Sequence, residues 1–190
     1  MKTLELRRHS FRKQGGGSQL SQHGVDYARR LGSTMGPFAY VVTSVVPRAR
    51  ETAIAMGFAV DQEIVTAASD EGVYAEMEDS QWWAAAQPFA ALAAVVAGQG
   101  ATWRYAHALL ALWRDILLPL PDGAAVLLIA HSGELESACV AAFPQADHAN
   151  WGGLFAPCEG ARLVFAGEPP RFTTFELLRS QAETLGHKTE

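Results

Sequence analysis

Apolar residues are distributed along the chain in two alternating patterns. Short apolar or alternating runs, typical of strands, are separated by stretches in which apolar residues recur every three or four positions, as in helices. The predicted strands cover residues 4–6, 38–43, 64–65, 124–130, 162–165 and 172–175. The predicted helices cover residues 22–31, 47–56, 81–97, 101–118, 134–143 and 176–185. Because strands alternate with helices, the pattern predicts an α/β fold around a mostly parallel sheet.

The size of the chain suits one domain. It has 190 residues, of which 49% are hydrophobic, and this is enough to bury a full core. We expect a single domain over residues 1–190, in which residues 72–118 form a helical covering segment. The polar and acidic stretch 61–77 is expected to be a loop that includes the short strand.

Charge and composition limit the partners and the compartment. The formal net charge of -5 leaves no general basic surface, so nucleic acid is not expected as a partner. Residues 80–103 carry no charged side chain, but alanine dominates them and drives membrane insertion only weakly, so no membrane segment is expected. Cys139 and Cys158 lie in no metal-binding spacing, and the N-terminus has no apolar leader. These features predict a cytoplasmic protein with reduced thiols.

The end of the first predicted strand concentrates positive charge. Arg7, Arg8 and Arg12 surround His9 within six residues and precede a glycine-rich turn at residues 15–17. Such a cluster repels itself unless an anion binds there, although an isolated Arg-His pair is more often a solvated strand end. The cluster therefore predicts an anion site only if other elements converge on it.

A second group of arginines lies where a helix follows the second strand. Pro47 suits the first turn of a helix, and Arg48 and Arg50 stand beside it. Cations at a helix N-terminus oppose the macrodipole, whereas an anion bound there reverses the sign of the effect. Arg48 is the better candidate for an anion ligand, while Arg50 is equally well explained as a side chain that turns into solvent.

Three predicted strands end in residues suited to phosphate. Ligands of parallel α/β sheets bind beyond the carboxyl ends of the strands. The first strand ends in Arg8 and His9, the second leads to Arg48, and His131 directly follows the fourth. Two imidazoles and at least two guanidiniums, whose planar forks match phosphate oxygens, would share one crevice. The residues alone therefore favour a phosphate site.

These motifs resemble those of the histidine phosphatase superfamily, also called phosphoglycerate mutase-like. Four boxes occur in the family's order: Arg8-His9-Ser10 resembles Arg-His-Gly, residues 20–24 with Ala28 resemble the "leucine, x, x, x, glycine" helix start, residues 44–52 resemble Ser-x-x-x-Arg-Ala-x-x-Thr, and His131 resembles the second histidine. The resemblance covers most of the chain. It implies a single three-layer domain with helices on both faces of the sheet.

The resemblance also implies roles for the charged residues. By it, His9 is the nucleophile that forms a phosphohistidine, Arg8 and Arg48 bind the phosphoryl group, and His131 hydrogen-bonds that group. A carboxylic acid must protonate the leaving oxygen, and the family places this acid in the acidic segment after the box at residues 44–52, often before an aromatic residue.

For the acid, Glu71, followed by Tyr74, is the closest match, and Glu76 is the alternative. No metal or cofactor is expected, because the sequence contains neither HExxH nor a paired-carboxylate spacing.

The match departs from the family pattern beside both histidines. Serine replaces glycine there, at Ser10 and Ser132, and the Ser132 hydroxyl is predicted to bond a phosphate oxygen. Arg12 resembles a further arginine of the acid phosphatase branch and is counted among the substrate-binding residues. The Asp that this branch places after its second histidine is absent, so the compact branch with an acidic loop is the nearer match.

The resulting expectation is a metal-independent hydrolase of a small phosphomonoester. Residues 72–103 contain no Lys, Arg or His, which favours hydrolysis of a weakly charged substrate over transfer by a mutase. Three alternatives stay open: a mutase-type phosphotransferase, a phosphate-binding module without turnover, and a serine esterase with Ser132 as nucleophile and Asp147 and His148 as partners. Neither the substrate nor the oligomeric state follows from the sequence.

Overall fold

The sheet at the centre of the molecule has four neighbouring parallel strands. The computed structural model describes residues 1–15, 17–66 and 71–180, with Glu71 described in its backbone alone. Within these ranges the strands are β1 (Lys2–Arg8), β2 (Tyr40–Ser44), β3 (Gln62–Ile64), β4 (Ala125–Ala130), β5 (Gly160–Ala166) and β6 (Arg171–Leu178). Their order is β3-β2-β4-β1-β5-β6. The first four strands in this order are parallel, and β5 runs antiparallel to β1 and β6.

The helices cover both faces of this sheet. They are α1 (Gln22–Gly32), α2 (Pro47–Met56), α3 (Glu71–Ser80), α4 (Pro88–Ala97), α5 (Ala101–Leu117) and α6 (Glu134–Ala142). Val126 and Leu128 of β4 belong to the core shared with α4, α5 and α6, whereas Leu127 and Ile129 belong to the core shared with α1 and α2. This alternation follows from the two-residue period of a strand. The predicted α/β fold with three layers is confirmed.

The parallel register brings the functional strand ends to one edge of the sheet. Arg8 lies opposite Ala130, and the N–H of His9 donates to the carbonyl of Ala130 at 3.0 Å. On the other side of β4, the neighbouring strand β2 ends at Ser44. His131 follows β4 directly, so both histidines leave the sheet side by side.

The acidic stretch 61–77, predicted to be a loop, contains most of helix α3 instead. Val73 is buried, and Met77 packs against the main core. The carboxylate of Glu76 accepts the backbone N–H groups of Ala101 and Thr102 at the start of α5. These contacts with distant residues stabilise the helix, and local composition does not reveal them.

The helix predicted over residues 81–97 is also wrong in its first part. A single 3₁₀ turn, Trp82–Ala84, precedes α4, which begins at Pro88. Proline suits the first helical position but disfavours helix in the residue before it, so the two elements stay separate. The uncharged helix α4 has 10 residues, and none of the helices in the described ranges is long and apolar enough to cross a membrane.

The terminal helix predicted over residues 176–185 is wrong at its start. Strand β6 continues through Leu178, which pairs with Gly160 of β5. Across the same pair of strands, Arg162 forms a salt bridge with Glu176 at 3.0 Å. Pairing with β5 therefore extends the strand beyond the end that the apolar pattern indicates. Residues 181–185 lie outside the described part of the chain.

Candidate active site

His9 directly follows β1 and is buried. Its Nδ1 lies 2.7 Å from the carbonyl oxygen of Ser10. Because a carbonyl only accepts, Nδ1 carries the proton, and Nε2 keeps its lone pair. Burial lowers the pKa of His9 to about 4, with smaller contributions from nearby arginines, while the bond to Ser10 acts in the opposite direction. The imidazole is therefore neutral at pH 7, as a nitrogen nucleophile must be.

His131 lies beside His9, with the two ring centroids 5.2 Å apart. Its Nε2 is 2.7 Å from the hydroxyl oxygen of Ser44, which in turn accepts the N–H of Val46. The Ser44 proton can thus be donated to Nε2, which leaves the proton of His131 on Nδ1. Burial, followed by the charge of Arg48, lowers the pKa of His131 to about 3. The sequence assigned Ser44 no role, although its place at the start of the box at residues 44–52 was the signal.

Arg8 and Arg48 approach the histidines from two different elements. Arg8 is the last residue of β1 and donates from Nη1 to the carbonyl of Phe155 at 2.6 Å. Arg48 lies in the first turn of α2 and donates to the hydroxyl of Ser18 at 3.2 Å. Burial is the first cause that lowers the pKa of Arg48, and the charges of Arg12 and Arg8 act in the same direction. The arginines therefore repel one another, and a bound anion would relieve this repulsion.

The other arginines differ in their partners. Arg12 is exposed, but its charge lowers the pKa of both His9 and Arg48, so it lies near the same site. Arg50 points elsewhere and pairs with a carboxylate on β3, that of Glu63, at 3.2 Å. Arg7 does not belong to the anion site that the sequence suggested, because its guanidinium is buried against Glu5 and the carbonyl of Cys158.

Buried polar atoms without a hydrogen-bond partner are concentrated at this edge. Among the described side chains, eight residues contribute such an atom, and four of them lie here: Nε of Arg8, Nε of Arg48, Nδ1 of His131 and Oε2 of Glu134. Buried polar groups are rarely left unpaired without a functional reason. Three of the four are donors for an anion. Glu134, the first residue of α6, is a residue that the sequence reasoning missed.

Comparison with models of protein families shows the family of this chain. The model of the histidine phosphatase superfamily (branch 1) matches residues 4–177 of the chain. The chain belongs to this superfamily. No curated protein matches the sequence.

Two solved structures illustrate the shared fold. Phosphoserine phosphatase from Entamoeba histolytica, in complex with 3-phosphoglyceric acid, is 15% identical with a TM-score of 0.58, and the match covers 95% of this chain and 98% of that one. A mycobacterial glucosyl-3-phosphoglycerate phosphatase, in complex with VO3, is 18% identical with a TM-score of 0.59, and the match covers 93% and 97%. At these identities the likeness concerns the fold alone.

The superfamily's first histidine box contains a serine in this chain, and the structure accommodates it. The hydroxyl of Ser10 donates to the carbonyl of Gly24 at 2.8 Å, and its backbone N–H donates to the hydroxyl of Thr52 at 3.0 Å. Gly24 approaches the carbonyl of Phe11 so closely that a Cβ would collide with it. Residues of the first three boxes therefore contact one another directly, and they hold the backbone that follows His9.

Ser132 replaces the second glycine, and its hydroxyl is hydrogen-bonded to a neighbouring acid. Its hydroxyl donates to Oε1 of Glu136 at 2.9 Å, while the left-handed backbone conformation falls on Gly133. Binding of phosphate by Ser132 stays a prediction, because the hydroxyl would have to turn away from Glu136. The esterase alternative finds no support, since the Ser132 hydroxyl contacts a carboxylate and His148 packs against Trp151.

The two acids predicted for proton transfer have different outcomes. The side chain of Glu71 lies outside the described part, so its role stays a prediction. Glu76 accepts N–H groups at 2.6 and 2.8 Å from Ala101 and Thr102, and these bonds, led by the one from Thr102, lower its pKa. A carboxylate stabilised in this way is a poor proton donor, so the geometry argues against Glu76.

Two tyrosines lie on the covering side of the site. Tyr105 of α5 donates to the carbonyl of Thr66 at 2.6 Å, and burial raises its pKa, with further contributions from Glu134 and Tyr74. Tyr74 of α3 is 56% exposed.

Proposed function

We propose that the protein hydrolyses a small phosphomonoester through a phosphohistidine on His9. The observation that carries this proposal is the neutral His9, with a lone pair on Nε2, beside unpaired buried donors of Arg8, Arg48 and His131. The two phosphatases with the same fold support hydrolysis as the reaction class.

The reaction has two displacement steps. In the first, Nε2 of His9 attacks phosphorus, and the bond to the ester oxygen breaks as that oxygen receives a proton from a carboxylic acid. In the second, water attacks phosphorus, the acid recovers a proton, and the electron pair of the N–P bond returns to Nε2. The guanidiniums and His131 stabilise the negative charge on the phosphoryl oxygens in both steps.

Hydrolysis is favoured over mutase-type transfer by the lack of basic residues in the first part of the covering segment, residues 72–103. A mutase has to retain and reorient a doubly phosphorylated intermediate, and a strongly cationic enclosure suits that task. Residues 72–103 contribute no Lys, Arg or His. We therefore propose that a monoester with an uncharged or weakly charged remainder is the substrate, without a nucleic acid or membrane partner and without a metal or other cofactor.

The test is to trap the phosphorylated residue and remove the nucleophile. Labelled substrate should leave a phosphoryl group that is labile in acid and stable in alkali, and His9→Ala should abolish both this label and hydrolysis of p-nitrophenyl phosphate. Removal of a covalent nucleophile should cost several orders of magnitude in rate. His107→Ala, at a histidine stacked on Trp103, is the matched control and should remain active. A label with the opposite stability, or His9→Ala with a tenth of the activity, would contradict the proposal.

A further inference from the structure

Two acids in the first turn of α6 have opposite environments. Glu136 is fully buried, and its carboxylate accepts the Ser132 hydroxyl and the N–H groups of Gly133 and Phe155. Glu134 is half-buried, and its Oε2 is a buried atom that no described residue hydrogen-bonds. Three donors therefore satisfy the carboxylate of Glu136, whereas this oxygen of Glu134 has no described partner. Glu134 therefore has a free carboxyl oxygen inside the site.

The groups around Glu134 come from several elements. The Thr66 side chain and the backbone N–H of His131 hydrogen-bond its carboxyl group, and Arg48 of α2 faces it with a positive charge; all three lower its pKa. Tyr105 of α5 interacts with the same carboxyl from the covering side. Burial outweighs these favourable contacts and, with a smaller contribution from Glu136, raises the pKa of Glu134 to about 7. The carboxyl thus exchanges its proton near neutral pH, as a general acid must.

A bound phosphoryl group would strengthen the hold of Glu134 on its proton. The group carries about two negative charges at neutral pH and would lie against Arg48, the guanidinium that already acts on Glu134. Repulsion between the two anions favours the neutral form of the carboxyl. In the complex with substrate, Glu134 would then be a hydrogen-bond donor that faces an oxygen of the ester.

We propose that Glu134 is the catalytic acid that gives its proton to the leaving oxygen. This inference rests on the proposed function and replaces Glu71 in that role. As the P–O bond breaks, the electron pair goes to the ester oxygen together with the Glu134 proton, which yields the free alcohol and the Glu134 carboxylate. In the second step this carboxylate takes a proton from the attacking water, and His9 leaves with the electron pair of the N–P bond.

The decisive variant is Glu134→Gln, which keeps the size of the side chain and removes the transferable proton. Hydrolysis of ethyl phosphate, a poor leaving group, should slow by about a hundredfold or more, because its oxygen depends on protonation. Hydrolysis of p-nitrophenyl phosphate should slow by less than about fivefold, since p-nitrophenolate leaves without help. The alkaline limb of the pH profile should also disappear. Of the charged groups that face Glu134, Arg48 stays ionised, Tyr105 titrates higher, and Glu136 is unchanged in the variant.

Glu71→Gln and Glu76→Gln are the parallel variants. The inference requires both to lack the leaving-group dependence. Appearance of that dependence in Glu71→Gln, or an equal loss on both substrates in Glu134→Gln, would overturn it. In either case the unaltered protein would still hydrolyse p-nitrophenyl phosphate through His9, so the proposed function would stand. If Glu134→Gln does not fold, Glu134→Asp takes its place. It should slow hydrolysis of ethyl phosphate more than that of p-nitrophenyl phosphate, by a smaller factor than expected for Glu134→Gln. Equal slowing of the two substrates would overturn the inference.

Discussion

The floor and the cover of the site are held in place in different ways. The floor consists of the ends of β1, β2 and β4 with the residues that follow them, and the cover consists of residues 72–118. In the floor, backbone pairing sets the positions: the N–H of Arg8 donates to Glu159 at 2.8 Å, and the N–H of His9 donates to Ala130 at 3.0 Å. In the cover, side chains make the connections, as Glu76 does to α5 and Tyr105 does to Thr66.

The difference teaches which part performs chemistry and which part selects the substrate. Sheet register leaves little freedom, so the proposed nucleophile and the proposed phosphate donors keep a geometry that catalysis needs. Helices joined by short turns and fixed by individual side-chain bonds can vary without disturbing that geometry. The floor is also cationic, whereas residues 72–103 of the cover contain no basic residue. We therefore expect mutations in the floor to affect every substrate, and mutations in the cover to affect stability or substrate choice.

The largest effect within this comparison is expected for an arginine of the floor. Arg48→Ala should reduce kcat/KM for p-nitrophenyl phosphate by about a hundredfold to a thousandfold, because it removes a buried donor aimed at developing charge. Inhibition by vanadate should weaken in parallel. Arg50→Ala, two residues along the same helix, is the matched control and should have little effect, since Arg50 pairs with Glu63 at the surface. Equal losses in the two variants would mean that the floor is not the phosphate site.

The floor could be predicted from the sequence because each of its residues follows a recognisable strand or box. The run from Ala125 to Ala130 identified a buried strand, so the position of His131 at its end followed directly. The same holds for His9 after β1. Arg7 was harder to place, because its carboxylate partner Glu5 is two residues away on the same strand and the sequence does not show that they pair.

The cover and Glu134 could not be predicted because their roles depend on distant residues. The acidic composition of residues 61–77 predicts a loop. The helix there is stabilised by Glu76, which accepts the N–H groups at the start of α5, and the sequence does not show this contact. Glu134 and Glu136 are both acids in a first helical turn, and the sequence treats them alike. They are told apart only by distant residues: the backbone N–H of Phe155 donates to Glu136, whereas Tyr105 lies near Glu134, the acid that we propose to be reactive.

A second, smaller effect is expected in the dependence of stability on pH. Burial lowers the pKa of His9 from 6.5 to about 4 and that of His131 to about 3. The unfolded chain therefore takes up protons first, and the folded state loses stability as pH falls from 6.5 towards 4. The loss approaches about 1.4 kcal/mol per pH unit for each imidazole.

The contribution of Glu134 to stability has the opposite sign and must be removed for this measurement. Burial raises its pKa from 4.5 to about 7, so it stabilises the fold below pH 4.5 and this stabilisation is lost as pH rises to 7. We expect urea unfolding of Glu134→Gln to show the loss of stability from both imidazoles as pH falls from 6.5 towards 4. The double variant with His131→Asn should show a shallower loss over the same range. Parallel curves for the two proteins would mean that His131 is not buried in its neutral form.

The smallest effect is expected for the bond that joins two helices of the cover. Glu76→Ala removes the acceptor for the N–H groups of Ala101 and Thr102, and loss of such a cap costs about 0.5–2 kcal/mol. The free energy of unfolding should fall by this amount, while kcat for p-nitrophenyl phosphate should change by less than about twofold, because no atom of the floor moves. Asp79→Asn, on the same helix, should change neither quantity. A large loss of kcat in Glu76→Ala, with the free energy of unfolding unchanged, would show that the cover takes part in the chemistry. The assignment of chemistry to the floor alone would then be wrong.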